Sequence, residues 1–509
     1  MKRLFNSFLI AVLLAASAFR PEIAAKQPET GGIENLLDRW DTAPALEMFQ
    51  RLPEQERNSP KGRTLLATIY FLDGRYGEAV ETMEEITGGR DESLLKIMKN
   101  SLKETAGMKK IPLGGSIEVY IKIGVDEILP LYMEEPLATG LERAEKMLNL
   151  GANKQKLRIE IFPDAAAFAK MTPLSADDVM NTGVAGICKY NKVMLLSPSA
   201  FDYGYKWMDT LMHEVIHLLL IRNFGEGVDI WFQEAFAKYF ESIWRDEEGG
   251  EMPQASLAAL FEAAGKNRLL PFQSFYPSLA KFSSAEEVEA AFAQLQLTME
   301  YLIMNYGMDA LHDILKGIGH GMELRDILKE RTGRDIKKLF AEVKGYVKKK
   351  SKEFPGLNSK SAESSKGCKS EKCDAQKFLR LGDILMEKGF TAAAAVEYQK
   401  GIGKANGFHP ELEARLAGAL MDAGQIDEAQ KRLEMSKKFY HGYPVLDALL
   451  GKALFFKGRN DESLKILENV IWINPLDIGV HRILAGIYKK SGLSGLYERE
   501  NKAVQILSD

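Results

Sequence analysis

One stretch of the chain carries residue types and spacings suited to hydrolysis. Residues 207–223 read WMDTLMHEVIHLLLIRN, apolar on nearly every side, a pattern that predicts a buried helix. Set into it are His213, Glu214 and His217. A spacing of four puts both imidazoles on one helical face, where they can share one Zn²⁺, with Glu214 beside them to hold and deprotonate a water. Two imidazoles and a carboxylate inside an apolar helix are costly to desolvate unless a metal or hydrogen bonds take them up. The plain rival is a pair of core histidines satisfied by hydrogen bonds. With 7 His in 509 residues, a chance match to His-Glu-x-x-His arises in about one such chain in a hundred.

Two imidazoles and a water do not complete a catalytic tetrahedron, so a third protein ligand is needed. Glu234 follows within Asp229-Ile230-Trp231-Phe232-Gln233-Glu234-Ala235-Phe236-Ala237-Lys238-Tyr239-Phe240-Glu241. Gly225 and Gly227, with Asp229 as a cap, break the helix and restart it, which lets a second helix fold back and aim Glu234 at the metal. Glu234 and Lys238 are also four apart and could form an exposed ion pair. The aromatic residues Trp231, Phe232, Phe236, Tyr239 and Phe240 argue for a buried helix instead.

Together, His213-Glu214-x-x-His217 and Trp231-Phe-x-Glu234-Ala-x-Ala-x-Tyr239-x-Glu241 resemble the gluzincin zinc metallopeptidases, in particular the bacterial peptidase MA-like domains with their Trp-Leu-x-Glu-Gly-x-Ala signature. The resemblance runs from the hairpin at Gly183–Pro198 to about residue 345. It implies zinc held by His213, His217 and Glu234, with Glu214 as general base. It also implies a substrate chain paired to an edge strand near 183–187 or 192–196. The motif specifies metal and hydrolysis but no substrate. Ala235 stands where the family usually has Gly, a small change. Relatives often place a Tyr or His at the oxyanion, whereas Ala291-Phe292-Ala293-Gln294 offers Phe. Tyr301, Tyr203, Tyr205 and His320 are the substitutes, and the oxyanion partner stays unassigned.

The elements that must position these residues occupy about 111–345. Ile117–Ile123 and Leu157–Phe162 read as strands with a long helix, 128–151, between them. A hairpin follows, Gly183–Tyr190 and Lys192–Ser197 turning near Asn191, and then helices almost to 347, an α+β domain. All-α regions are expected on both sides, so the whole is predominantly helical. In 375–509, Gly389, Gly424, Gly458 and Gly492 recur at 34 or 35 residues, and small residues Ala394, Ala429 and Ser463 follow three of them. A second series, Gly382, Gly418, Gly451 and Gly486, precedes them. This resembles the tetratricopeptide repeat, a helix-turn-helix unit. Residues 33–110 repeat the pattern once, at Leu66–Gly74 with Ala79, and are expected to form TPR-like hairpins. Between domain and repeats, 346–374 is Lys- and Ser-rich and reads as a flexible linker. Residues 375–509 are therefore expected to fold as a separate short solenoid.

Length and balance agree with several ordinary globular units. Hydrophobic residues at 46% and charged at 27% exclude a chain that is mostly disordered, collagenous or multi-span membrane. The 67 basic and 71 acidic residues nearly cancel, which gives no mark of nucleic-acid binding. Residues 1–25, with Lys2, Arg3, an apolar run from Phe8 to Phe19 and small residues at Ala16-Ser17-Ala18 and Ala24-Ala25, read as a signal peptide. A secreted or periplasmic location is expected, membrane-tethered if the peptide is uncleaved. Cys368 and Cys373 could close a small loop, and Cys188 reads as a buried thiol. The expected function is an exported zinc metallopeptidase whose repeats recruit or position protein clients. The alternative is a non-catalytic TPR adaptor of the cell envelope with a relic zinc fold, disfavoured because no ligand and no base has been lost.

Overall fold

The computed structural model describes residues 30–151, 155–172, 175–177, 179, 183–276, 285–354, 374–405, 409–439 and 443–508. The signal-like segment, Cys368, Cys373 and most of the expected linker lie outside the described residues. The chain is predominantly helical around one five-stranded sheet.

The strands are β1 (Lys109–Leu113), β2 (Ile117–Ile121), β3 (Leu157–Phe162), β4 (Gly186–Lys189) and β5 (Lys192–Leu196), ordered β1-β2-β3-β5-β4. In β2 the alternation seen in the sequence buries Ile117, Val119 and Ile121. β1, unread in the sequence, exposes Lys109, Lys110 and Pro112; a proline that cannot donate is tolerated on such an edge. β2, β3 and β5 run parallel, while β1 and β4 pair antiparallel at the two edges. Helix Pro130–Met147 makes the crossover from β2 to β3. The β4–β5 turn places Tyr190 and Asn191 at φ +55° and +61°, the two left-handed positions of a tight hairpin. β5 therefore lies inside the sheet, and of the two segments expected to offer an edge only β4 does so.

Helix Trp207–Phe224, the histidine helix, lies across β4 and β5 and is buried from Trp207 through Arg222. Gly225, at φ +83°, ends it. The glutamate helix, Ile230–Phe240, then folds back against it. Helices Gln254–Gly265, Ala285–Gly319 (broken at Gly307), Leu324–Thr332 and Ile336–Glu353 complete this unit. The last of these corrects the expected linker boundary at 346. It stays helical through Glu353 because Val347 and Ser351 are buried on its inner face.

Before the sheet, helices Pro60–Leu72 and Tyr76–Glu84 form a hairpin turning at Gly74, φ +77°, with Ala79 fully buried between them. From Asp374 onward the described residues form four hairpins: Asp374–Glu387 with Thr391–Lys404, Pro410–Asp422 with Ile426–Phe439, Pro444–Phe456 with Asn460–Ile471, and Ile478–Lys490 with Ser494–Ser508. The recurring Gly389, Gly424, Gly458 and Gly492 sit in their turns at φ +78°, +76°, +75° and +74°, a conformation that glycine adopts without steric cost. The second glycine series divides. Gly382 and Gly451 leave room for Tyr398 and Leu467, whereas Gly418 and Gly486 face open space. Their neighbours Ala417 and Ala485 are the buried small residues there.

The four hairpins do not form one separate solenoid. Ala375, Leu379, Tyr398, Leu412 and Leu420 make a small core of their own. Leu467, Val470, Ile471, Val480, Leu484 and Ile487 instead belong to the same core as the sheet and the histidine helix. Among the described residues no helix is long and apolar enough to cross a membrane.

Candidate metal centre

The histidine helix aims His213 and His217 at one point, and the glutamate helix brings Glu234 to it. His213 Nε2 lies 3.1 Å from His217 Nε2 and 3.2 Å from Glu234 Oε2, and His217 Nε2 is 3.6 Å from Glu234 Oε1. Ligands at the usual zinc distances, arranged as a tetrahedron, stand about 3.3–3.5 Å apart. All three residues are fully or almost fully buried, and among the described residues they form the one cluster with metal-ligating geometry.

The outer nitrogens settle which atoms face inward. Gln233 Nε2 donates to the Val228 carbonyl at 2.7 Å, so its Oε1 is the atom that faces His217 Nδ1, 3.3 Å away. His213 Nδ1 faces Glu241 Oε2 at 3.3 Å, and Lys238 Nζ holds the other Glu241 oxygen at 2.6 Å. Each Nδ1 thus meets an acceptor for its proton, which aims both Nε2 atoms at the shared position. With both Nδ1 atoms bonded outward, the two Nε2 atoms 3.1 Å apart need a positive charge between them, either the extra proton that Glu234 and Glu241 favour on His213 or a metal ion. The sequence motif included Glu241 without a role, and Gln233 was missed. Glu241 follows Glu234 by two helical turns and so returns to the same face.

Charge tells the same story. Burial disfavours a charged His213, yet the Glu234 and Glu241 carboxylates outweigh it and hold the imidazole up at about 10. Burial pushes Glu234 up, but His217 and His213 overcome it and hold the carboxyl down at about 2. At Glu214 burial wins and the carboxyl is raised, with His213 and His217 offsetting only part of it. Both Glu214 oxygens and Glu234 Oε1 lack hydrogen-bond partners among the described residues. Buried carboxylate oxygens without partners are expensive, and a divalent cation with its water would satisfy them. The donor set therefore fits zinc.

β4 lies directly against the base. A Cβ on Gly186 would stand 2.9 Å from Glu214 Cγ and 2.7 Å from Thr210 Cγ2, so glycine lets the edge strand approach. Cys188 is a buried free thiol in that strand, as expected. The oxyanion candidates are otherwise engaged. Tyr205 donates to the Leu196 carbonyl at 2.5 Å, Tyr301 to Glu342 at 3.2 Å, Tyr203 packs on Tyr443, and His320 is exposed. Phe292 is buried in its helix, and Gln294 is bonded to the backbone of Leu270. The exposed Glu234–Lys238 pair does not form, since Lys238 turns to Glu241.

No family model matches the chain, and no curated protein does. Among solved structures, native leukotriene A4 hydrolase from Saccharomyces cerevisiae aligns at a TM-score of 0.33 and 12% identity over 79% of this chain and 67% of that one. A second structure of native yeast LTA4 hydrolase gives 0.31 and 12%, covering 79% and 66%. The APC/C hetero-tetramer Cut9–Hcn1 gives 0.23 and 12%, covering 95% and 96%. The chain thus spans about two thirds of the hydrolase, and overlaps this loose do not define a shared fold.

Proposed function

We propose that this chain is an exported zinc metallopeptidase of the gluzincin type that cleaves peptide bonds in protein clients. The observation that carries the reading is the triangle of His213, His217 and Glu234 with unpartnered Glu214 beside it. His213, His217 and Glu234 would hold the ion. Bound there, zinc supplies a Lewis acid for the scissile carbonyl and acidifies water toward neutral pH. Glu214 would accept a proton from the attacking water as the C–O bond forms and the carbonyl π electrons move to its oxygen, then deliver that proton to the amine nitrogen so that the C–N bond breaks as the carbonyl re-forms. Gln233 and Glu241 fix the imidazoles, and β4, an edge strand among the described residues, offers its backbone to an extended substrate. Export is part of the proposal on the strength of residues 1–25. Client binding by the repeats is supported by the exposed Leu381, Ile384, Phe390 and Val396 on the first C-terminal hairpin.

Metal analysis and peptide assays test the reading together. The purified chain should carry one zinc, and His213→Ala with His217→Ala should remove it. Glu214→Gln should keep zinc and fold but lose about 10²- to 10⁴-fold in hydrolysis, since the amide cannot take the proton. Full zinc retention in the double variant would place the site elsewhere. Near-normal turnover by Glu214→Gln would remove Glu214 as the base. A zinc-loaded wild type that cleaves nothing would favour the adaptor.

A further inference from the structure

The last C-terminal hairpins do more than sit beside the metal centre. The turn Ile471-Trp472-Ile473 between helices Asn460–Ile471 and Ile478–Lys490 is bonded to the start of the histidine helix. The Ile473 carbonyl accepts from the Tyr205 backbone amide at 2.9 Å, and the Ile471 carbonyl accepts from Trp207 Nε1 at 3.1 Å. Both carbonyls come from the C-terminal end of a helix, where backbone acceptors lack partners within the helix. Here Tyr205, just before the histidine helix, and Trp207, its first residue, supply the donors. The approach is close enough to dictate sequence. Gly204 is at φ +68°, and a Cβ there would stand 2.0 Å from the Ile473 oxygen.

Trp472 joins both ligand-bearing helices. Its ring centroid is 5.8 Å from that of Trp207, the first residue of the histidine helix, and 4.7 Å edge-on from that of Trp244, just beyond the glutamate helix. It also meets Tyr132 edge-on at 6.1 Å. Tyr132 in turn donates to Glu500 Oε2 at 2.8 Å, and His481 Nδ1 lies 2.7 Å from the same oxygen. Trp207 and Trp244 are further tied through Asp209, which accepts from Trp244 Nε1 at 2.9 Å and pairs with Arg245. The partly buried indole of Trp472 therefore links the start of the histidine helix to the segment that follows the glutamate helix, the two elements that carry His213 and Glu234.

We infer that Trp472 is a positioning residue of the metal centre, so that the last two repeats complete the site and are not an independent recruitment module. This rests on the zinc reading of His213, His217 and Glu234. A change in ligand placement well below 1 Å suffices to weaken a metal site.

The test uses the full-length chain, stripped of metal and titrated with Co²⁺, whose visible absorption reports ligand geometry, and with Zn²⁺ against a chelator. Trp472→Ala should shift the Co²⁺ spectrum and weaken Zn²⁺ about tenfold or more, while Trp472→Phe should recover most of both. Gly204→Ala, which pushes the Ile473 carbonyl away from the other side, should reproduce the change and decides the matter if Trp472→Ala does not fold. Leu416→Ala, in the separate core of the first hairpins, should lower Tm yet leave spectrum and affinity alone. Wild-type spectra and affinity in both Trp472→Ala and Gly204→Ala would overturn the inference while the metal reading stands. A wild-type chain that takes up no Co²⁺ removes the centre and the inference with it.

Discussion

Two buried clusters of ionisable groups flank the same sheet, and they solve the problem of burial differently. On one side Glu160 of β3 is fully buried, with Arg158 Nε 2.6 Å from Oε1, Tyr76 donating to that oxygen, and Lys192 Nζ 3.8 Å from Oε2. Lys192 also reaches Tyr76 Oη at 2.5 Å and lies against the rings of Phe71 and Tyr76. Burial lowers Lys192 to about 8 despite the Glu160 charge beside it. On the other side, Glu214 and Glu234 have imidazoles as their nearest charged neighbours and keep three oxygens without hydrogen-bond partners among the described residues, against one, Glu160 Oε2, in the first cluster. The first cluster supplies its own cations and serves to join the N-terminal helices to the sheet. Among the described residues the second has no Lys or Arg against Glu214 or Glu234 and relies on imidazoles, which can exchange a proton for a metal ion, and that is what marks it as a place for an ion.

The comparison predicts opposite responses to the loss of one carboxylate. Glu160→Gln leaves Lys192 and Arg158 without a buried partner and should cost about 3–5 kcal/mol of unfolding free energy, because an uncompensated buried charge is the expensive outcome. The double variant Glu160→Gln with Lys192→Met should recover much of this. Urea unfolding of the three chains measures it, and zinc affinity of whatever folds should stay at the wild-type value. An undiminished midpoint in Glu160→Gln would mean that the cluster is not a structural joint.

Supporting residues of the metal cluster should show a smaller effect, on the metal rather than on the fold. Glu241→Ala removes the charged acceptor behind His213 and should weaken Zn²⁺ by about 10- to 100-fold. Gln233→Ala removes a neutral acceptor behind His217 and should cost less, since hydrogen bonds to charged groups are the stronger ones. Competition with a chelator ranks them, and the reverse order would mean that Glu241 answers Lys238 more than His213.

How far these roles could be read in advance depended on whether the signal was local. The histidine helix, Glu234 and the β4–β5 hairpin were legible because spacing within a helix or a turn fixes which residues share a face. The turn glycines of the C-terminal hairpins were legible for the same reason. The burial of Lys192 was not, because its partners Tyr76 and Glu160 are set by how separate elements pack. Trp207, Trp244 and Trp472 likewise carry no mutual signal until the fold brings their rings together. β1 was missed because an exposed edge strand needs no apolar alternation.

The smallest effect concerns pH. Burial alone would raise the Glu160 carboxyl, but Lys192 and Arg158 prevail and hold it below its usual 4.5. A carboxyl depressed in the folded chain contributes stability that is fully present above about 4.5 and is lost as pH falls toward its folded value. To keep metal release out of the measurement, both proteins should carry His213→Ala and His217→Ala. One should also carry Glu160→Gln with Lys192→Met. Between neutral pH and 5 their stabilities should run parallel. Below 4.5 the chain with Glu160 should lose up to about 1.4 kcal/mol per pH unit more than the other, the limit for one proton. Parallel curves throughout would mean that the carboxylate gains nothing from Lys192 and Arg158. The contrast between a self-neutralised cluster and a cation-seeking one would then have to rest on the metal centre alone.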